Sequence, residues 1–131
     1  MTRVSRAALL KLANELSGTE REILQTVARF GLVSHTSLHV LFFDGVPADR
    51  RQGRRVLARL CEADALARLQ RRIGGKRAGS SGFVYRLGPV GQRLVAYWNG
   101  EGLPRGRRLP EPGTLFVRHK LSISAIYVEL V

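Results

Sequence analysis

The apolar residues of this 131-residue chain change their repeat twice, and those changes constrain the fold more than any other feature. As far as Cys61 they recur at helical spacing. From Leu66 to Leu87 they alternate in twos on either side of a glycine-rich loop, and from Val90 helical spacing returns. Such a chain is expected to be mainly α with a small β-hairpin inserted between helices.

Three helical runs precede the hairpin. The first starts at Thr19, which with Glu22 reads as a capping box, continues through Ile23, Leu24, Val27, Ala28 and Phe30, and stops at Gly31. The second is capped by Ser34, carries Leu38, Leu41 and Phe42, and ends at Asp44-Gly45. The third opens on Pro47, with Asp49 and Gln52 as a capping pair, and buries Val56, Leu57, Leu60 and Cys61. Leu66 to Arg72 and Phe83 to Leu87 are the expected strands, and the four glycines of residues 74–82 make the turn between them. Val90 to Trp98 reads as a fourth helix after the Gly88-Pro89 break. Residues 1–16 read as a basic arm or short helix, 99–113 as a linker, and 114–131 as an amphipathic helix. That last helix lacks a C-terminal stop signal, so the native chain is expected to extend past Val131 or to pack there against a partner.

Charge singles out one part of this plan. Twenty-two Lys and Arg face ten Asp and Glu, a formal net charge of +12, and only Lys11, Lys76 and Lys120 are lysines. Residues 50–77 hold ten basic residues and two acids. On a helical wheel the third helix puts Gly53, Val56, Leu57, Leu60 and Cys61 on one side. Arg51, Gln52, Arg55 and Arg59 lie opposite, with Arg54 on the shoulder and Arg50 nearer the core. No carboxylate interleaves before Glu62, so the salt-bridge ladder of a merely solvated helix is missing. Arginine forks match phosphate oxygens and guanine edges in two-point geometry, and glutamine matches adenine. The partner expected is double-stranded DNA. Arg51, Gln52, Arg55 and Arg59 would face bases, Arg50 would reach a phosphate, and Arg54 on the shoulder would also contact the DNA. Arg71 and Arg72 at the hairpin base, and Lys76 and Arg77 at its tip, form a second contact. Ser34, His35 and Thr36 are expected to offer backbone amides and hydroxyls to a phosphate.

Other chemistries find little support. One cysteine excludes an internal disulfide and a cysteine-based zinc site. His35 and His39 stand four apart without a further ligand nearby and read as surface or cap residues. The ten acids form no paired motif, so no enzymatic activity, cofactor, metal or small-molecule substrate is expected. Phe42, Phe43, Phe83 and Tyr85 read as core, not as a platform for single-stranded bases. No apolar run approaches a membrane span, and a cytoplasmic, nucleoid-associated protein is expected.

Helix, helix, helix, strand, glycine-rich basic loop, strand, helix is the order of a winged helix-turn-helix, here occupying residues 17–98 with an additional C-terminal helix. Several segments resemble the replication-relaxation family of plasmid and mobile-element proteins. They are Leu41-Phe42-Phe43, the run Arg54 to Leu60, Val84-Tyr85-Arg86-Leu87-Gly88-Pro89-Val90-Gly91, and Phe116 to Leu121 running on to Tyr127 to Leu130. The resemblance covers roughly residues 17–131, and its most specific part is Tyr-Arg-Leu-Gly-Pro after the basic loop. Asp64-Ala65 stands where the family has Gly-Leu, and an aspartate tolerates the left-handed turn. The resemblance implies a winged-helix DNA-binding protein linked to control of plasmid replication or element maintenance. Taken with the residues, the leading reading is a sequence-specific double-stranded DNA-binding protein that controls replication or transcription, with a homodimer expected through the amphipathic C-terminal helix. Two other readings stay open. One is the DNA-targeting module of a longer replication or mobilisation protein. The other is a winged helix used for protein contact.

Overall fold

The structure, a computed structural model, describes residues 4–43, 47–69, 83–101, 120, 121 and 123, with the backbone alone for 47–50. Among the described residues, five helices and a three-stranded antiparallel sheet form the fold. In chain order the elements are α1 (Arg6–Glu15), α2 (Gly18–Phe30), β1 (Val33–Ser34), α3 (His35–Phe42), α4 (Pro47–Glu62), β2 (Leu66–Arg68), β3 (Val84–Leu87) and α5 (Pro89–Trp98).

α2 begins two residues earlier than the sequence suggests. Both Ser17-x-x-Glu20 and Thr19-x-x-Glu22 satisfy the capping-box pattern, and the first one forms. Ser17 Oγ accepts from the Glu20 amide at 3.1 Å while Glu20 Oε1 accepts from the Ser17 amide at 3.2 Å. This register buries Glu20 along with Ile23, Leu24 and Val27. Gly31 ends the helix at φ 82°, its N–H donating to Val27 O at 2.8 Å. α4 starts at Pro47, which places Asp49 inside the first turn and not at a cap.

The expected two-stranded hairpin has a third strand. Val33 and Ser34 pair with Tyr85 and Val84, giving the order β1-β3-β2 with β3 central. In the other ladder Leu66, Ala67 and Arg68 face Leu87, Arg86 and Tyr85. Two residues are too few for a periodic signal, so β1 was visible in sequence only as the approach to Ser34. The pairing continues to Leu69, whose N–H donates to Val84 O, and residues 70–82 lie outside the described residues.

α1 belongs to the same core as the rest and is not a separate arm. Its Leu9 is fully buried, and Leu12 and Leu16 pack against the cluster of Ile23, Leu24, Val27, Leu38, Leu57, Leu60, Leu66 and Leu94. The buried Arg93 of α5 ties the entering chain down through Nη1, which donates to Val4 O at 2.7 Å. Lys120, Leu121 and Ile123 are helical, and Leu121 packs against Leu32, Leu69 and Val84.

The end of α4 and the start of α5 meet in a close joint. α4 closes in a Schellman pattern, Ala65 N–H donating to Leu60 O and Asp64 N–H to Cys61 O. Asp64 takes the left-handed conformation at φ 60°, as expected of an aspartate standing in for glycine. The same turn then serves α5. Its N-cap, Gly88, has no side chain to offer, and the Asp64 carbonyl accepts from the Val90 amide at 3.0 Å while Ala65 O accepts from Gly88. A β-carbon on Gly88 would stand 2.2 Å from Asp64 O, and one on Gly91 2.0 Å from Ala65 O. The Gly-Pro-Val-Gly segment is therefore a docking surface for the preceding turn.

Candidate nucleic-acid interface

The site is built on the pair α3 and α4. Val56, Leu57 and Leu60 bury the inner stripe of α4, and Gly53 lets the two helices approach closely. A β-carbon at Gly53 would come within 2.8 Å of the Phe43 ring and 3.0 Å of His39. With that face held, Arg51, Gln52, Arg54 and Arg55 are all exposed on the other. None of the three arginines makes an ion pair among the described residues. Arg50 lies on α4 with its side chain outside the described residues, and Arg71, Arg72, Lys76 and Arg77 lie outside them altogether.

Arg59 does not share this freedom. Its Nη2 donates to Glu20 Oε2 at 3.2 Å, bridging α4 to the first turn of α2. Glu20 is nearly buried and uses its other oxygen in the capping box, so one carboxylate ties two elements together. The contact joins residues 39 apart in sequence, which a helical wheel cannot see. Glu20→Ala is expected to cost about 1–2 kcal/mol, chiefly through the cap because the arginine end is exposed. Glu20→Gln, which can still accept from Ser17, should cost less than half as much. Urea unfolding of the two variants checks the difference.

The start of α3 is less open than the sequence suggests. Ser34 Oγ accepts from the Ser37 amide at 3.1 Å, and the His35 amide donates to Phe83 O at 2.9 Å. These groups are spent inside the fold, where they cap α3 and join it to the sheet; of the three residues expected at a phosphate, Thr36 alone is exposed.

His35 is buried, which corrects its reading as a surface or cap residue. Its Nδ1 shares a 3.1 Å hydrogen bond with Tyr85 Oη, and its ring stacks on His39 at 4.5 Å between centroids. Burial, then the neighbouring His39, Arg54 and Arg68, push its pKa down to about 4. Burial also raises the Tyr85 phenol to about 12 and the Cys61 thiol above its ordinary value. An unfolded histidine takes a proton near pH 6.5, so between there and about 4 the unfolded chain binds more protons than the folded one. Stability should therefore be at its full value above pH 6.5 and fall as the pH drops toward 4. Between pH 6.5 and 5, where few carboxylates titrate, His35→Gln is expected to flatten that fall; urea midpoints across the range measure it.

Sequence reasoning also passed over Arg68, which stands at the exposed end of β2. Its guanidinium lies 4.7 Å from the centroid of the Phe83 ring, and Phe83 in turn meets Tyr85 edge-on at 6.5 Å. The available signal was register: Arg68 pairs with Tyr85, so Arg68, Phe83 and Tyr85 share one face of the sheet. Among the described residues no group of three or more His, Cys, Asp or Glu could hold a metal ion, and no helix is long and apolar enough to cross a membrane.

No curated protein and no solved structure matches the chain. The replication-relaxation family model, in contrast, matches residues 24–131. That span takes in α2 from Leu24 onward, the arginine face of α4, the sheet, and the Gly88–Gly91 docking segment of α5. The chain belongs to the replication-relaxation family.

Proposed function

We propose that this protein is a winged helix-turn-helix that binds duplex DNA at a specific site and thereby controls replication or transcription of a plasmid or mobile element. One observation carries the reading: a helix fixed by its inner stripe presents Arg51, Gln52, Arg54 and Arg55 together, with no carboxylate paired to the arginines among the described residues. Such a helix fits the major groove, where Arg51 and Arg55 would meet guanine O6 and N7 and Gln52 an adenine edge. Arg54 would meet the backbone. Arg59 leaves the base-reading set because Glu20 engages it. The order α2, β1, α3, α4, β2, β3 supports the same assignment, with residues 70–82 as the wing and Lys76 and Arg77 near a neighbouring groove. The replication context comes from the family.

A homodimer through residues 114–131 is part of the proposal, and it would read half-sites about one helical turn apart. Selection from random duplex DNA, followed by a salt titration on the selected site, tests the whole. The expected result is a defined motif, bound with a log–log salt slope of about −5 to −7 for six to eight neutralised phosphates. Binding without a motif would reduce the protein to a nonspecific role, and absence of salt-sensitive binding would overturn the reading.

A further inference from the structure

We propose that Arg68, seated on Phe83 at the sheet edge, is a phosphate-binding residue that extends the α4 contact onto the strand of the wing. The inference rests on the duplex-binding reading of α4.

Several independent features prepare this side chain for such a role. Arg68 is exposed, and it makes no ion pair among the described residues. Its guanidinium nevertheless has a seat, over the Phe83 ring at 4.7 Å from the centroid. A stacked guanidinium keeps the edge of its fork free for a bidentate anion, and pre-ordering lowers the entropy lost on binding. Phe83 is itself braced by Tyr85, which is hydrogen-bonded to His35 at the start of α3. The support thus runs from the base of α3 through two rings to the arginine.

Its position matters as much. Arg54 on α4 and Arg68 on β2 are both near enough to His35 to disfavour its charged form, so two different elements bring a cation to the neighbourhood of the start of α3. A nucleic-acid backbone bound beside Arg54 on the exposed face of α4 would have Arg68, on the neighbouring β2, as a further cation. Phosphate, not a base edge, is the expected ligand because Arg68 belongs to the sheet and not to the face of α4 that would enter the groove.

The test compares full-length wild type with Arg68→Ala, Arg68→Lys, Phe83→Leu and the double variant Arg51→Ala, Arg55→Ala, all on the selected duplex across a salt series. For Arg68→Ala the expected loss is about fivefold at moderate salt, similar on matched and mismatched sites, with the salt slope shallower by about 1. Arg68→Lys should retain the slope but recover only part of the affinity, since it keeps charge and loses the fork. Phe83→Leu should weaken binding less than Arg68→Ala. Thermal unfolding of Arg68→Ala should match wild type closely, which separates contact from folding. If the double variant weakens binding while Arg68→Ala changes neither affinity nor slope, the proposal for Arg68 falls and the reading of α4 stands. Loss confined to one base position would also overturn it, by making Arg68 a base reader. If wild type binds no duplex at all, both readings fall.

Discussion

Gly91→Ala is expected to destabilise the protein by about 3 kcal/mol or more, enough to unfold a large fraction of a marginally stable domain. The added methyl would stand 2.0 Å from Ala65 O and 3.0 Å from its carbonyl carbon. Both are backbone atoms of a turn that is already committed, because Asp64 and Ala65 close α4 and cap α5 at once. No rotamer change relieves such a contact; α5 must back away from the turn. Backing away would break the bonds from Gly88 and Val90 and draw Leu94 out of the core. Gly18→Ala is the matching control. Gly18 has nothing within 4 Å of its added carbon and an ordinary φ, so the change should stay within about 0.5 kcal/mol. Urea unfolding followed by circular dichroism compares the two. A wild-type midpoint for Gly91→Ala would mean that the α4–α5 joint is not packed as described.

Replacing Arg51 and Arg55 together by Ala should lower affinity for the selected duplex by at least about 30-fold, each bidentate base contact contributing about 1–3 kcal/mol of discrimination. Stability should hardly change, since both side chains are exposed and make no ion pair among the described residues. The loss should also depend on sequence, largest where the motif demands guanine and small on unrelated duplex. That dependence separates base reading from general charge attraction, which weakens all sequences alike. Unchanged affinity in the double variant would remove α4 as the reading element. These two experiments probe opposite properties of the same chain. One disrupts the fold while leaving the arginines in the sequence; the other disrupts the surface and leaves the fold.

Periodicity alone made α4 legible in considerable detail. Gly53, Val56, Leu57 and Leu60 are buried and Arg51, Gln52, Arg54 and Arg55 exposed, as the wheel predicts. A helical wheel works here because a sixteen-residue amphipathic helix has one way to satisfy its apolar stripe. Boundaries were less legible. Two capping-box patterns stand two residues apart at the start of α2, Ser17-x-x-Glu20 and Thr19-x-x-Glu22, and the pattern itself does not choose between them. The box that forms is the one whose glutamate also meets Arg59 of α4, a partner 39 residues away.

The family-like segment Gly88-Pro89-Val90-Gly91 was visible in sequence as a chain break before a helix, whereas its purpose was not. Only the fold shows that two glycines three apart admit the carbonyls of a turn some 25 residues earlier. His35 was likewise misplaced, because an i, i+4 histidine pair is equally at home on a surface and in a core. β3, passing with Tyr85 beside it, decided the matter.

By itself, then, the sequence determined the helical repeat and its interruption, the side of α4 that faces out, and the accumulation of arginine there. Each depends on residues close in the chain, where spacing translates directly into direction. Tertiary structure decided which charges on that outward side stay unpaired, with Arg59 taken by Glu20 and Arg68 brought onto Phe83 beside α4. It also decided that α1 joins the core and that β1 completes the sheet. These depend on partners distant in sequence, and a contact between remote residues leaves no periodic trace in either segment.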